Sequence, residues 1–319
     1  MKFFRSILMG AIIVALLVAI KTPYLILVPG TAEDVLGMIY FQGKPLHPTG
    51  HLYLTTVYVS RADLLLYLYG LLDPNAKLVK MQGVSQKEEN QIETMMMQES
   101  LLSAEEVALK KAGYPVKLQG TGVKILQVLK QSLAQGILKS GEIILAINHH
   151  AVYFVHDLIS YLNTQKPGFL ATLLVEDGGV KKIVQVKTIP APNGKGARLG
   201  ILVASNGLKL ESPVKIKIHV QDIEGSSAGL MFALGTYDLL KGGNLLHGLS
   251  VAGTGTIDVQ GNVGPIEGIR QKMIAAKKAG AKYFFCPVEN YSEAEKNEEG
   301  LVVVPVKNFD AALADLKKW

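Results

Sequence analysis

Ser227 and Lys272 are the two residues of this chain whose types and spacing best suggest chemistry. Ser227 lies in segment 223–230, IEGSSAGL, and Lys272 follows 45 residues later, at the end of segment 264–272, GPIEGIRQK. A serine hydroxyl is a weak nucleophile until a neighbouring base takes its proton, and a lysine can be that base where burial lowers its pKa. The pair therefore suggests a Ser–Lys hydrolase, which needs no histidine.

The sequence around Ser227 also allows other interpretations. Segment 225–229, GSSAG, fits the G-x-S-x-G pattern of α/β-hydrolases, but that fold also needs a histidine late in the chain. The only histidine after Ser227 is His247, so an esterase of this kind is the weaker alternative. A serine at the start of a helix can also be a simple N-cap. As a nucleophile it would have nearby backbone N–H groups to stabilise an oxyanion.

The position of Lys272 rests on a predicted helix over residues 264–279. Its apolar stripe includes Ile269 and Met273, and Lys272 lies at one margin of that stripe. A lysine there could enter an apolar pocket, which would favour its neutral form. Lys277 lies at the opposite margin, so periodicity alone does not choose between the two lysines.

The elements that must hold these residues form an α+β pattern in the last part of the chain. Residues 214–220 and 302–305 are predicted strands, and residues 226–241 and 309–317 are predicted helices. With 319 residues and 49% hydrophobic content, the chain can form two or three domains with real cores. The fold class is therefore predicted as multi-domain α+β.

Residues 114–190 show a different pattern, ending in a hairpin over residues 170–187. Segment 133–148, LAQGILKSGEIILAIN, resembles the turn–strand–turn motif of PDZ domains. PDZ domains bind peptide ends by strand addition beside a glycine-containing loop. The resemblance implies that peptides bind here at Gly120, Thr121, Gly122 and Val123. The alternative is a domain that packs on its neighbour and binds no free peptide.

Two longer motifs resemble the proteolytic domain of Lon-type serine proteases. Segment 224–229, EGSSAG, is similar to the family's DGPSAG, and segment 254–272, TGTIDVQGNVGPIEGIRQK, is similar to TGxxxxxGxVxPIGGxxxK. The resemblance implies that Ser227 is the nucleophile, Lys272 the general base and Thr254 a hydrogen-bond partner of the lysine. Supporting backbone amides around Ser226 and Ala228 would hold the oxyanion.

Three positions depart from the Lon motifs. Glu224 replaces aspartate, Ser226 replaces proline, and Glu267 replaces the first glycine of a pair. None of these changes removes a reacting atom. A Glu267 carboxylate paired with Lys272 would raise the lysine pKa and weaken the base.

The N-terminus predicts a membrane segment at residues 1–21. Lys2 and Arg5 precede an uncharged apolar run over residues 6–20, which is followed by Lys21. The run has the length of a signal-peptide core, but no small-x-small cleavage site precedes Lys21. An uncleaved single-pass anchor is therefore favoured, with the N-terminus in the cytoplasm and the rest outside.

Composition narrows the function further. The chain has 33 basic and 27 acidic residues, a net charge of +6 without a long basic run, which argues against nucleic-acid binding. A single cysteine, Cys286, argues against disulfides and a cysteine metal site. No G-x-x-x-x-G-K-[ST] phosphate loop is present. No metal and no cofactor are predicted, and ATP-independent action is expected.

The whole layout resembles the membrane-anchored, PDZ-containing Lon-like proteases of bacteria. The predicted parts are an anchor (1–21), a small α/β N-terminal region (22–113), a PDZ domain (114–190) and a Lon-type proteolytic domain (197–319). The resemblance implies a serine endopeptidase of the cell membrane that cleaves unfolded or PDZ-presented proteins outside the cytoplasm. A homo-oligomer is a further expectation from the resemblance. The alternative is a catalytically silent membrane-anchored PDZ adaptor.

Overall fold

The computed structural model describes residues 2–41, 49–81, 86–191, 196–220, 223–297 and 300–319. The chain combines helices with several β-sheets, as the α+β prediction expects. The α-helices in this part of the chain are α1 (Lys2–Ala19), α2 (Leu64–Leu72), α3 (Gln86–Ala112), α4 (Val155–Asn163), α5 (Gly229–Leu240), α6 (Ile269–Lys278), α7 (Tyr291–Glu295) and α8 (Phe309–Leu316).

Most strands are short, and the two longest lie near the N-terminus. The strands are β1 (Lys21–Asp34), β2 (Ile39–Phe41), β3 (His51–Asp63), β4 (Lys77–Lys80), β5 (Lys117–Gln119), β6 (Val123–Val128), β7 (Ile143–Ile147), β8 (His150–Ala151), β9 (Leu170–Asp177), β10 (Val180–Lys187), β11 (Ile189–Pro190), β12 (Ala197–Arg198), β13 (Ile201–Ser205), β14 (Lys209–Glu211), β15 (Ile216–Ile218), β16 (Ser250–Gly253), β17 (Thr256–Ile257), β18 (Val263–Gly264), β19 (Tyr283–Pro287) and β20 (Val302–Val306).

The central sheet joins strands from both ends of the chain in the order β20-β19-β16-β3-β1-β4. Strands β3, β16, β19 and β20 pair in parallel, and β1 is antiparallel to both β3 and β4. Strands of the predicted N-terminal region (22–113) and of the predicted proteolytic domain (197–319) thus share one sheet. We call this sheet with its helices the main body.

Helices cover both faces of the central sheet. Neighbouring residues of β19 point to opposite faces. Phe285 belongs to the core beneath α3 and α5, and Phe284 belongs to the core beneath α6. Helix α5 is buried along almost its whole length, Phe232 included. A helix that is apolar on all sides is a core helix, and α5 lies at the centre of the larger core.

Residues 117–211 form a separate unit, which we call the insert. Strands β5 and β14 pair antiparallel where the chain enters and leaves this unit. Its sheet has the order β10-β9-β7-β6-β13, with β8 paired to β7. The insert has its own core, which includes Ile125, Leu158 and Leu173. Strand β13 belongs to this sheet although it lies beyond the predicted end of the PDZ domain at residue 190.

The two helices predicted to carry Ser227 and Lys272 begin later in the chain than their sequence patterns predict. The helix predicted over 226–241 starts with a 3-10 turn, Ser226–Ala228, and becomes α-helical at Gly229. The helix predicted over 264–279 begins at Ile269, because Gly264 pairs in β18 and Gly268 has a positive φ of 72°. Pro265 has no N–H to donate in this segment.

The predicted membrane segment is helical over Lys2–Ala19, and long apolar side chains such as Phe3, Phe4 and Met9 are exposed. Among the helices of the described residues, none combines the length and the apolar character needed to cross a bilayer. The prediction of a spanning anchor at residues 1–21 therefore finds no support in the structure.

Candidate active site

Ser227 lies at the entry to α5, in a turn shaped by glycine. Gly225 has φ 84° and ψ 160°, a conformation that side chains with a Cβ rarely adopt. The chain then passes through the 3-10 turn Ser226–Ala228 into α5. At the start of α5, the Gly229 N–H donates to the Ser226 carbonyl and the Leu230 N–H donates to the Gly255 carbonyl. Ser227 itself is half-buried.

Lys272 comes from α6 and ends at the Ser227 hydroxyl. Its Nζ lies 2.7 Å from Ser227 Oγ, and the lysine is only 3% exposed. Lys277, which periodicity could not separate from Lys272, is exposed to solvent. The structure therefore resolves the ambiguity between the two lysines: Lys272 faces the core and the serine.

Burial changes the acid–base character of Lys272. Removal from water disfavours the charged ammonium and lowers the lysine pKa from 10.5 to about 7, while the negative charge of Glu93 acts in the opposite direction. A lysine with this pKa has a large neutral fraction near neutrality. The neutral amine can accept a proton from the serine hydroxyl.

Thr254 joins the two residues at the end of β16. Its hydroxyl is fully buried, lies 3.1 Å from Lys272 Nζ and donates to the Ser227 carbonyl oxygen at 3.0 Å. The Gly255 N–H also donates to that carbonyl, at 2.7 Å. The threonine thus orients the lysine, and residues 254 and 255 together fix the backbone of the serine. This is the partnership with Lys272 that the sequence resemblance implied.

These three side chains lie in a segment with known relatives. Residues 207–316 match the family model of the Lon protease (S16) C-terminal proteolytic domain. The chain is 35% identical over 109 residues to Lon protease 2 of Bacillus subtilis, covering 33% of this chain and 19% of that protein. It is 31% identical over 152 residues to the Lon protease of Mycoplasma mobile, covering 44% and 18% respectively. Together these matches support a serine peptidase.

The extent of these matches is limited. The chain spans less than a fifth of the length of these curated Lon relatives. Among solved structures, the chain is similar to the PDZ domains of SdrC-like proteins from Listeria monocytogenes (21% identity, TM-score 0.25, 26% of this chain, 87% of that one) and Listeria innocua (25%, 0.25, 26%, 92%). The chain thus has PDZ-like neighbours, and a peptide-binding role of the insert stays a prediction.

Of the three departures from the Lon motifs, Glu267 is the one that bears on Lys272. Glu267, the residue that would weaken the base by pairing with Lys272, instead bonds Lys77 Nζ at 2.6 Å on the surface. His247, which the esterase alternative needs, lies near Asp238 in the last turn of α5. Ser227 has Lys272 as its hydrogen-bond partner.

Two residues near the site were missed by sequence reasoning. Ser100 Oγ donates to the Ser226 carbonyl at 3.0 Å, and a Cβ atom at Gly225 would lie 2.7 Å from Glu93 Oε2. Both belong to α3, more than 120 positions before the serine turn. Their seven-residue spacing places them on one face of a helix, which is a signal that the sequence carried. Nothing in the motifs linked that helix to Ser227.

The predicted peptide-binding loop lies at the start of β6. The Thr121 N–H donates to the Asn206 carbonyl, and the Asn206 N–H donates to the Gly122 carbonyl, both at 2.8 Å. A Cβ at Gly120 would lie 2.4 Å from the Tyr153 carbonyl oxygen. These groups of residues 120–122 therefore contact other parts of the insert. Val123 is buried in its core.

The described residues contain no group of three or more His, Cys, Asp or Glu side chains arranged to hold a metal ion.

Proposed function

We propose that this chain is an ATP-independent serine endopeptidase that uses a Ser227–Lys272 dyad. One observation carries the proposal: the amine of Lys272, a residue that is 3% exposed, lies 2.7 Å from the hydroxyl of the half-buried Ser227. The match of residues 207–316 to the Lon proteolytic domain supports peptide bonds as the substrate class.

The dyad supplies both proton transfers of the reaction. Neutral Lys272 takes the Ser227 proton as Oγ attacks the peptide carbonyl, and Thr254 holds the amine in place. Backbone N–H groups at Ser226–Ala228 stabilise the oxyanion. The resulting lysine ammonium gives its proton to the leaving amine. Water, deprotonated by the neutral Lys272 amine, then attacks the acyl-enzyme, and Lys272 returns that proton to Ser227 Oγ as the ester bond breaks.

Turnover of an unfolded protein, without nucleotide, tests this function. Purified chain and its Ser227→Ala twin are compared on one preparation of substrate, with products separated by mass. Loss of cleavage in the twin alone supports the proposal. Equal cleavage by both proteins rejects Ser227 as the nucleophile. Cleavage by neither, under conditions where the chain is folded, favours a silent adaptor.

We propose that the insert presents peptides to the dyad by strand addition. Among the strands of the described residues, β13 is the last in its sheet and pairs with β6 alone. An edge strand has unpaired backbone groups that can receive a peptide strand. Hydrogen exchange with a bound peptide tests this, because protection should appear at residues 201–204; the Ser205 N–H already donates to Glu99. Protection confined to residues 120–123 would favour the loop predicted from sequence.

We further propose that helix α1 associates the chain with the cell membrane and that catalysis takes place outside the cytoplasm. The support is the basic pair Lys2 and Arg5 ahead of an apolar run, and the exposed apolar side chains of α1. Membrane fractionation of the full chain beside a variant lacking residues 1–21 tests it. Equal recovery of both in the soluble fraction would reject membrane association. Self-association stays a prediction.

A further inference from the structure

Helix α3 contacts the insert and the serine turn through two neighbouring residues, Glu99 and Ser100. The helix spans Gln86–Ala112 and packs against α5, which begins directly after the serine turn. The mechanism above uses no residue of α3. Its contacts nevertheless connect both units of the molecule.

Ser100 holds the backbone on one side of the nucleophile. Its hydroxyl donates to the Ser226 carbonyl at 3.0 Å, and Ser100 is 3% exposed. A Cβ at Gly229 would lie 2.5 Å from Ser100 Oγ, so the hydroxyl is also packed tightly against the start of α5. The next carbonyl, that of Ser227, is held from the other side by Thr254 and Gly255. The serine turn is thus fixed between α3 and the end of β16.

Glu99 fixes the same turn of α3 to the insert. Its carboxylate accepts from the Ser205 N–H at 3.0 Å and from Ser205 Oγ at 2.5 Å. Ser205 Oγ in turn accepts from the Val155 N–H at 3.0 Å. Ser205 ends β13 and Val155 begins α4. Hydrogen bonds to a carboxylate are stronger than neutral ones, so Glu99 joins α3 firmly to the point where β13 and α4 meet.

We infer that Ser100 is a positioning residue for Ser227, and that the adjoining Glu99–Ser205 contact makes this positioning depend on where the insert sits. A helix moves as a rigid element, and residues 99 and 100 share one turn of it. A displacement of β13 and α4 therefore shifts the hydroxyl that holds Ser226. Small displacements of a nucleophile cost large factors in rate. This inference rests on the proposed endopeptidase function.

The first test compares Ser100→Ala with Ser103→Ala in the full chain. Ser103 is a serine of the same helix and equally buried, and no hydrogen bond among the described residues joins it to the serine turn. We expect kcat to fall about 10- to 100-fold in Ser100→Ala, with KM within about twofold. The rate at which a fluorophosphonate probe labels Ser227 should fall in parallel. Equal kinetics in the two variants would overturn the inference.

The second test follows the contact into the insert. Ser205→Ala should lower kcat by about 2- to 30-fold, and should add nothing in a Ser100→Ala background. Ser140→Ala is the control, because the Ser140 hydroxyl bonds the Leu126 carbonyl within the insert. Unchanged kcat in Ser205→Ala, or a fully additive effect with Ser100→Ala, would overturn the coupling.

A structural readout separates this inference from the proposed function. Hydrogen exchange at residues 225–229 should be faster in Ser100→Ala and Ser205→Ala than in the wild-type chain, whether or not the chain cleaves substrate. An inactive wild-type chain with this pattern would reject the endopeptidase and keep the positioning. An active wild-type chain, with exchange at residues 225–229 unchanged in both variants, would keep the endopeptidase and reject the positioning.

Discussion

The insert is built from antiparallel strands that all lie within residues 117–211, whereas the main body joins strands from both ends of the chain. In the insert, β9 and β10 form a tight hairpin, and β7 pairs directly with β9. In the main body, β3 near the N-terminus pairs in parallel with β16, which is about 200 residues later. Parallel strands need long connections, and here one such connection contains the whole insert.

This difference explains where the reactive residues are found. The candidate site needs a serine turn, the end of β16 and helix α6, and all three are held by the long-range core of the main body. The insert closes its own core from local contacts. Chemistry thus lies in the unit whose assembly requires the whole chain. Among the described residues, the insert contacts the main body through α3 and through His156, whose Nδ1 lies 3.3 Å from Asp258 Oδ2.

Replacement of the lysine is the largest expected effect on the main body. Lys272→Met keeps a long apolar stem in the pocket but removes the base, so kcat/KM should fall by at least about 1,000-fold. Lys277→Met, an exposed lysine of the same helix, is the control and should keep wild-type turnover. Steady-state peptidase kinetics measure both. Similar losses in the two variants would contradict a specific role for Lys272.

The hydrophobic cores of the main body and of the insert should also unfold separately. Phe232→Ala in the main core should lower the free energy of unfolding by about 3–5 kcal/mol, and Leu173→Ala in the insert core by about 2–5 kcal/mol. Hydrogen exchange should speed up at β3, β16 and β19 together in the first variant. In the second it should speed up at β6, β7 and β9 alone. Faster exchange throughout the chain in Leu173→Ala would mean that the two units unfold as one.

Gly225 offers a smaller test of the serine turn. Gly225→Ala combines a positive φ with a Cβ placed 2.7 Å from Glu93 Oε2, and should cost about 1–3 kcal/mol and about tenfold in kcat. Gly248→Ala is matched in φ, at 83°, but its Cβ would meet nothing within 4 Å. Thermal unfolding and kinetics of both variants compare a replacement in the serine turn with one of similar φ elsewhere. Equal kcat in the two variants would mean that the conformation of Gly225 does not influence Ser227.

The smallest expected effect is on pH dependence. Protonated Lys272 cannot accept the serine proton, so kcat/KM should fall tenfold per unit below an apparent pKa of about 7. The charge of Glu93 raises that pKa, so Glu93→Gln should move the acidic limb to lower pH. A pH–rate profile of each protein measures the shift. An unmoved limb would mean that Glu93 does not influence the lysine.

Much of the site could be predicted from sequence because its residues lie in contiguous motifs. The resemblance to the Lon motifs singles out Ser227 and Lys272, and the structure places Lys272 Nζ 2.7 Å from Ser227 Oγ. Helix boundaries were less accurate. The predicted helix over 264–279 begins at Ile269, since periodicity does not register that Gly264 is paired in a strand.

The sequence by itself determined the residue types that can react, the α+β pattern and the local hairpins, because these depend on neighbours along the chain. Only the tertiary structure decided which lysine is buried, that Glu267 bonds Lys77, and that Glu93 and Ser100 stand beside the serine turn. Burial and charge proximity are set by segments more than a hundred residues apart. A lysine becomes a base only when those segments close around it.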